Sequence, residues 1–145
     1  GAFLVSASLK DGQVSNIEII SDAGTPLKMI LPWENCIMVN AEGAQSEKGT
    51  FGLPSPWIDC SGKRGDKIEG MAIFQHPSNP GYPAPWFTRD YGFFSPTPMY
   101  WPKDEKLGSV YSKGEKLTLR YRMIIHSGNH ETSNIARHFE AYKSE

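Results

Sequence analysis

Apolar and polar residues alternate along most of this chain, which is the pattern of half-buried β-strands. Residues 2–9 and 14–21 alternate in this way, and the Lys-Asp-Gly-Gln sequence between them is typical of a tight hairpin turn. The clearest strand covers residues 116–126. One of its sides carries apolar residues, and the other is predicted to be solvated or ligand-facing, with Thr118, Arg120, Arg122 and Ile124. The same pattern predicts further strands at 25–31, 36–40, 56–61, 68–75 and 88–94.

Helical periodicity is confined to the end of the chain. Ile135, Phe139 and Tyr142 follow one another at helical spacing, and Thr132 or Ser133 is available as the N-cap. About ten residues per strand favours antiparallel pairing over alternating strands and helices. The predicted fold is therefore mainly β: an antiparallel β-sandwich of about eight strands with one short C-terminal helix. It forms a single domain over residues 1–145, with a polar, glycine-rich stretch at 41–50 as a mobile loop or a composite junction.

Residues 76–94 form the most informative segment. Four prolines fix the backbone and remove hydrogen-bond donors, which excludes a helix or a central strand. The segment nevertheless contains many side chains that recognise ligands, namely His76, Asn79, Tyr82, Trp86, Arg89, Asp90 and Tyr91. A stiff loop with these groups predicts a binding surface. The alternative is a crossover whose aromatic side chains are buried against the core.

Composition narrows the possible partners. The chain has 145 residues, 39% of them hydrophobic, and a formal net charge of −1, so there is no basic field for nucleic acid. No apolar run approaches the ~20 residues of a membrane span. Cys36 and Cys60 allow a disulfide if the protein is exported with its signal removed, or two buried thiols. The cellular location is left open. A larger catalytic domain and a second copy of the chain are the protein partners that the sequence leaves open.

Candidate chemistry centres on acid–base groups and aromatic platforms. His76, Asp90 and His126 are the predicted catalytic residues, because such groups can flank a glycosidic bond. Asn79, Trp86, Arg89 and Tyr91 are the predicted substrate-binding residues, and Trp57 and Trp101 are further stacking candidates. A structural ion pair between Arg89 and Asp90 is the competing interpretation. No cofactor is expected, and the spacing of His126, His130 and His138 does not predict a metal site.

Several blocks recur in the order known from one bacterial family. They are Pro56–Gly62 (PWIDCSG), Gly70–Pro80 (GMAIFQHPSNP), Pro85-Trp86, Arg89–Gly92 (RDYG), Gly114–Leu117 (GEKL), Arg120–Arg122 (RYR) and His126–Gly128 (HSG). Over residues 50–142 the chain resembles the C-terminal half of soluble bacterial proteins labelled "PmoA family" or "methane oxygenase PmoA".

The resemblance implies a β-sandwich protein of sugar-degrading bacteria. Its matched polar and aromatic positions are His76, Asn79, Trp86, Arg89, Tyr91 and His126. Phe87 stands where that family usually has a histidine, which implies binding without the chemistry of that imidazole. The label itself implies a subunit of a membrane methane monooxygenase, a class that needs several membrane spans.

Residues 1–40 resemble a different group. Phe3–Val14, Ile17–Ser21, Gly24 and Pro32-Trp33 are similar to the C-terminal β-domain of fucosidase-type glycoside hydrolases. The sequence thus predicts a carbohydrate-active β-sandwich protein, either glycoside-hydrolase-like or a saccharide-binding accessory domain, and leaves open whether it catalyses a reaction. Two alternatives are a non-catalytic structural module of a larger protein and a metal-dependent oxygenase.

Overall fold

A computed structural model describes residues 3–10, 13–21, 33–97 and 110–145. Its strands are β1 (Phe3–Lys10), β2 (Gln13–Ser21), β3 (Glu34–Asn40), β4 (Trp57–Arg64), β5 (Lys67–Gln75), β6 (Trp86–Arg89), β7 (Phe93–Pro96) and β8 (Tyr121–Ser127). Its helices are α1 (Ser46–Thr50) and α2 (Ile135–Tyr142). Every strand pair is antiparallel, so the predicted mainly β, antiparallel class is confirmed.

The strands form one four-stranded sheet and two hairpins. The sheet has the order β3-β4-β5-β8, and β1-β2 and β6-β7 each pair separately. In the sheet, Ser61 of β4 lies opposite Gly70 of β5, which lies opposite His126 of β8. Because β4 and β5 have neighbours on both edges, their side chains are the most buried of the sheet. Residues 57–62 are all buried, as are most of residues 70–76.

One face of the sheet packs against the β6-β7 hairpin. Trp86 of β6 and Phe94 of β7 join a core cluster whose sheet residues are Met38, Ile58, Cys60 and Met71. Cys60 is also bonded to Cys36 in a disulfide, with 5.8 Å between the two Cα atoms. The disulfide fastens edge strand β3 to β4. Of the two states that the sequence allowed for these cysteines, the structure has the paired one.

Helix α2 covers part of the opposite face. Its residues Ile135, Phe139 and Tyr142 are buried, and they pack on a cluster of sheet residues that includes Trp57, Ala72 and Phe74. The predicted spacing of this helix is therefore confirmed. The predicted N-cap, Thr132 or Ser133, is wrong. The N-cap is Asn134, which lies in the left-handed region at φ 51° and makes no side-chain cap bond. Thr132 bonds instead to Asn129 within the preceding turn.

Two strand predictions need correction. Within 116–126 only Tyr121 onward is a strand, and the side with Arg122 and Ile124 is partly covered, because Ile124 packs against the cluster that α2 joins while 41% of the Arg122 side chain stays exposed. The guanidinium of Arg122 lies 4.5 Å from the ring centre of Tyr142. Residues 88–94 are not one strand, because a turn from Arg89 to Gly92 separates β6 from β7.

The predicted loop at 41–50 contains a short helix, α1. Its polar, glycine-rich composition did not predict a helix. Tertiary contacts stabilise the helix instead: the Thr50 hydroxyl donates to the Ser46 carbonyl and lies 2.9 Å from the Thr88 hydroxyl. The predicted strand at 25–31, the turns at 11–12 and 22–24, and Trp101 lie outside the described residues.

Replacing Phe139 with alanine should undock α2 from the sheet. Phe139 is 6% exposed and meets Phe74 edge to face, with 5.7 Å between ring centres. We expect a loss of about 3–5 kcal/mol in the free energy of unfolding, the usual cost of removing a buried phenyl ring. His138→Ala is the control on the exposed side of the helix and should change stability by less than about 0.5 kcal/mol. Urea denaturation measures both variants; equal effects would contradict the packing.

Candidate functional site

A buried carboxylate–imidazole pair lies at the centre of the sheet. The Asp59 side chain of β4 is 0% exposed and that of His126 on β8 is 7% exposed, with 2.6 Å between Oδ1 and Nε2. The Ser61 hydroxyl donates to the other carboxylate oxygen at 3.0 Å. The short distance shows that one proton is shared between Oδ1 and Nε2 in a hydrogen bond. Removing one partner of such a pair typically costs about 3–5 kcal/mol, because the other is left buried and unpaired.

Gly70 is the residue that permits this pair. Asp59 and His126 lie on strands that flank β5, so the imidazole must cross β5 above Gly70. A Cβ atom at position 70 would lie 2.6 Å from His126 Cε1 and 2.8 Å from Ser61 Cβ. Both distances are too short for carbon atoms in van der Waals contact. The glycine is needed here for space.

The carboxylate that pairs with His126 was not predicted from the sequence. His126 and Asp90 were both predicted catalytic residues, but the carboxylate partner of His126 is Asp59, which was not among the predicted site residues. The signal was present as a single acidic residue inside the otherwise apolar Trp-Ile-Asp-Cys run. The second ring nitrogen, Nδ1, is buried and has no hydrogen-bond partner among the described residues.

His76 and Asn79 occupy one turn beneath α2. His76 is 8% exposed, meets Tyr142 edge to face at 5.2 Å, and accepts the Ser78 amide hydrogen at Nδ1. Burial raises the pKa of Tyr142 above the ordinary tyrosine value. Asn79 bonds to both backbone groups of Arg120, accepting from its N–H at 2.7 Å and donating to its carbonyl at 2.8 Å. The Asn79 side chain and the His76 backbone N–H, which donates to the Arg120 carbonyl at 3.1 Å, thus fasten the proline-rich turn to the chain entering β8.

Trp86 is a core residue. It is 0% exposed, and its indole N–H donates to the Ser55 carbonyl at 2.8 Å. Gln75 donates to the same carbonyl and also bonds to both backbone groups of Ala84. The proline-rich segment has no backbone N–H at its four prolines, and the Gln75 and Trp86 side chains supply bonds that hold it in place. For Trp86, the alternative of an aromatic buried in a crossover describes the structure.

Arg89, Asp90 and Tyr91 lie on the outer side of the β6-β7 hairpin. The Arg89 guanidinium lies 4.1 Å from the ring centre of Phe87 and pairs with Glu47 at 3.2 Å. Asp90 accepts from the Glu47 backbone N–H at 2.7 Å. The predicted Arg89–Asp90 ion pair is thus replaced by two separate contacts with the beginning of α1. Tyr91 is 80% exposed.

The structure does not bring the sequence-predicted site residues together on one surface. His76 packs on Tyr142 of α2, Asn79 bonds to Arg120, Trp86 is inside the core, Arg89 to Tyr91 face outward, and His126 crosses the sheet. These positions do not favour a single binding face on the 76–94 loop. The physical reason is that the buried members of this set are each bonded or packed within the fold, so they serve to position backbone.

An open cleft lies elsewhere, between the loop after β3 and the segment leading into α2. Its volume is about 380 Å³. We call it the Trp57 cleft; it is lined by Asn40, Ala41, Gly43, Trp57, His130, Glu131, Asn134, Ala136 and Arg137. Asn40 shapes one wall, because its side-chain oxygen accepts from the backbone N–H groups of Glu42 and Ala44. A volume of this size falls within the usual range of small-molecule sites.

The polar groups of the Trp57 cleft are available to a ligand. Trp57 is 5% exposed, and its indole N–H has no partner in the described part of the chain, although it is not sealed from solvent. Arg137 and Glu131 form no ion pair with any described residue. Sequence analysis offered Trp57 as a platform but missed Glu131, Asn134 and Arg137. Glu131 and Asn134 lie in the turn before α2 and Arg137 lies in the first turn of the helix, and nothing in the sequence marks the loop that faces them.

No three histidine, cysteine, aspartate or glutamate side chains among the described residues lie close enough to share a metal ion. Neither helix in the described ranges has the length and apolar character that crossing a bilayer requires.

One family model matches most of the chain. Residues 29–140 match the model of a family of unknown function, DUF6807, and the chain belongs to that family. The matched range includes the four-stranded sheet, the β6-β7 hairpin and the Trp57 cleft, whereas β1 and β2 lie outside it. No curated protein and no solved structure matches the chain.

Gly70→Ala should destabilise the fold by steric conflict with the imidazole above it. We expect a loss of about 2–4 kcal/mol, in the range of strong overpacking effects. His126→Ala alone should cost about 3–5 kcal/mol, because it leaves the Asp59 carboxylate buried with one donor fewer.

The double variant tests the contact itself. Without the imidazole the new methyl group has more room, so the combined loss should fall short of the sum of the single losses by at least about 1 kcal/mol. Equilibrium urea denaturation gives all three values. Strict additivity would contradict the position of His126 over Gly70.

Proposed function

We propose that this protein binds a saccharide in the Trp57 cleft and is a carbohydrate-binding β-domain of the carbohydrate-active class. The observation that carries the proposal is the cleft itself, where an indole edge and several uncommitted polar side chains line an open space of about 380 Å³. Small-molecule sites combine an apolar or aromatic floor with a few polar groups that fix orientation.

The mixture of donors and acceptors favours a polyhydroxylated ligand. A sugar hydroxyl donates one hydrogen bond and accepts others, so its site needs both kinds of partner. Arg137 and the Trp57 indole supply donors, Glu131 supplies acceptors, and the Asn134 amide supplies both. Asn134 is also one of the few non-glycine residues with positive φ, a conformation that often occurs at functional sites.

The proposal concerns binding rather than turnover. The histidines and carboxylates that suggested acid–base chemistry are engaged within the fold: His126 with Asp59, His76 with Ser78, and Asp90 with α1. A general acid or base must reach the proton it transfers, and these groups lie outside the cleft lining.

Three further points support this class of protein. The sequence resembles soluble PmoA-labelled proteins of sugar-degrading bacteria and, near its start, fucosidase-type β-domains. We also propose that the four-stranded sheet and the β6-β7 hairpin are the two layers of a β-sandwich, since Trp86 and Phe94 pack on the sheet. Finally, disulfides persist in oxidising compartments, so the Cys36–Cys60 bond supports export of the protein.

A structural module that packs on a larger protein is the second candidate. It is favoured by apolar side chains on and near the outer side of the β6-β7 hairpin. Tyr91 is 80% exposed and Leu53 48%, and the half-buried Phe87 and Phe93 lie on the same hairpin. Aromatic residues of this kind are enriched in protein interfaces.

Nuclear magnetic resonance distinguishes these proposals through the indole N–H signals. Titration with a panel of neutral and acidic saccharides, up to millimolar concentration, should move the signal of Trp57 in a saturable way. The indole groups of Trp33 and Trp86 are internal controls, because they donate to Glu69 and to the Ser55 carbonyl. Their signals should stay in place.

Variants of the cleft lining provide the matched comparison. Asn134→Ala should weaken saccharide binding about tenfold by removing an amide that bonds the ligand. Lys48→Ala, on the exposed side of α1, should leave affinity unchanged. A panel in which no saccharide moves the Trp57 signal would refute the proposal.

A further inference from the structure

The N-terminus of α2 opens into the Trp57 cleft without a cap. Asn134, Ala136 and Arg137 all line the cleft. The N-cap Asn134 makes no side-chain cap bond, and the first turn contains no acidic residue. No acceptor for the N–H groups of Ala136 and Arg137 occurs within the described residues. The first N–H groups of a helix carry partial positive charge, which anions neutralise.

A second donor, from a different element, is present in the same cleft. The indole of Trp57 comes from β4, its side chain is more than nine-tenths buried, and its N–H has no partner in the described ranges. A buried polar group normally finds a hydrogen-bond partner, and Trp57 lines the cleft, so its unpaired N–H marks a position where an acceptor of a ligand can bind.

Charged side chains complete the set of donors. Arg137 has no ion-pair partner among the described residues, and its guanidinium has the fork geometry that suits carboxylate and sulfate oxygens. His130 lines the same space. Among the described lining residues Glu131 is the only acidic one, and it is exposed, so water weakens its repulsion of an anion.

We propose that the ligand of the Trp57 cleft carries an anionic group, so that the saccharide is an acidic one. The anionic group binds the exposed N–H groups at the start of α2 together with Arg137 and the Trp57 indole. This inference rests on the proposed saccharide function and adds the substrate class. A uronate carboxylate and a sulfate ester share the required chemistry, and the test separates them.

Calorimetric titration of matched sugars tests the inference. Glucuronate is compared with glucose, and galactose 6-sulfate with galactose, at low and at moderate salt. At least one acidic sugar should bind about tenfold more tightly than its neutral partner, as expected for a charge-assisted contact. The acidic sugar with the larger ratio identifies the anionic group. Added salt should reduce that ratio, because it screens the charges.

Three variants localise the effect. Arg137→Gln should bring the acidic-to-neutral affinity ratio close to one, whereas Glu131→Gln should raise it by removing a like charge. Arg64→Gln removes the same charge at the β4-β5 turn, where Arg64 pairs with Glu69, and should leave the ratio unchanged. Circular dichroism confirms that each variant is folded.

The outcomes separate the two levels of the proposal. If neutral and acidic sugars bind equally, the inference about charge is overturned and the saccharide function stands. If a preference for acidic sugars persists unchanged in Arg137→Gln, the assigned position of the anion is overturned. If no sugar binds, both proposals fail.

Discussion

Burial of both faces of the β4-β5 pair is the constraint on which this structure depends. The β6-β7 hairpin covers one face and α2 covers part of the other, so a polar side chain on these strands has little access to water. An unpaired polar group there would cost several kcal/mol, and an unpaired charge more. Asp59, Ser61 and Gln75 accordingly bond inside the protein, to His126, to each other or to backbone carbonyls.

The same constraint explains the proline-rich segment. Its backbone lacks donors at four positions, and side chains that might have faced a ligand instead supply the missing bonds. Gln75 and Asn79 each bond both backbone groups of a distant residue, Ala84 and Arg120 respectively. Each amide side chain thus bonds the N–H and the carbonyl of one residue, as the backbone of a neighbouring β-strand would. Of the predicted recognition residues, Asn79 and Trp86 bond to backbone, and uncommitted polar groups line the Trp57 cleft, beside the edge of the sheet.

The sequence predicted the strands and the last helix because alternation and helical spacing depend on neighbouring residues alone. Which side of a strand is covered depends on elements far along the chain, and there the prediction failed. The side of β8 with Arg122 and Ile124 looked open, but α2 packs on it. Trp86 looked like a platform, although a tryptophan in a short hairpin can equally fill the core. Asp59 could have been suspected, since a lone acidic residue in an apolar strand needs a partner, but its pairing with His126 depends on Gly70 and on strand order.

A crystal structure with a bound acidic oligosaccharide tests the central claim most directly. We expect electron density for a sugar in the Trp57 cleft, with an anionic group near the Ala136 and Arg137 backbone and an oxygen atom at hydrogen-bond distance from the Trp57 indole. Density on the outer side of the β6-β7 hairpin, beside Arg89 and Tyr91, with an empty cleft would contradict it.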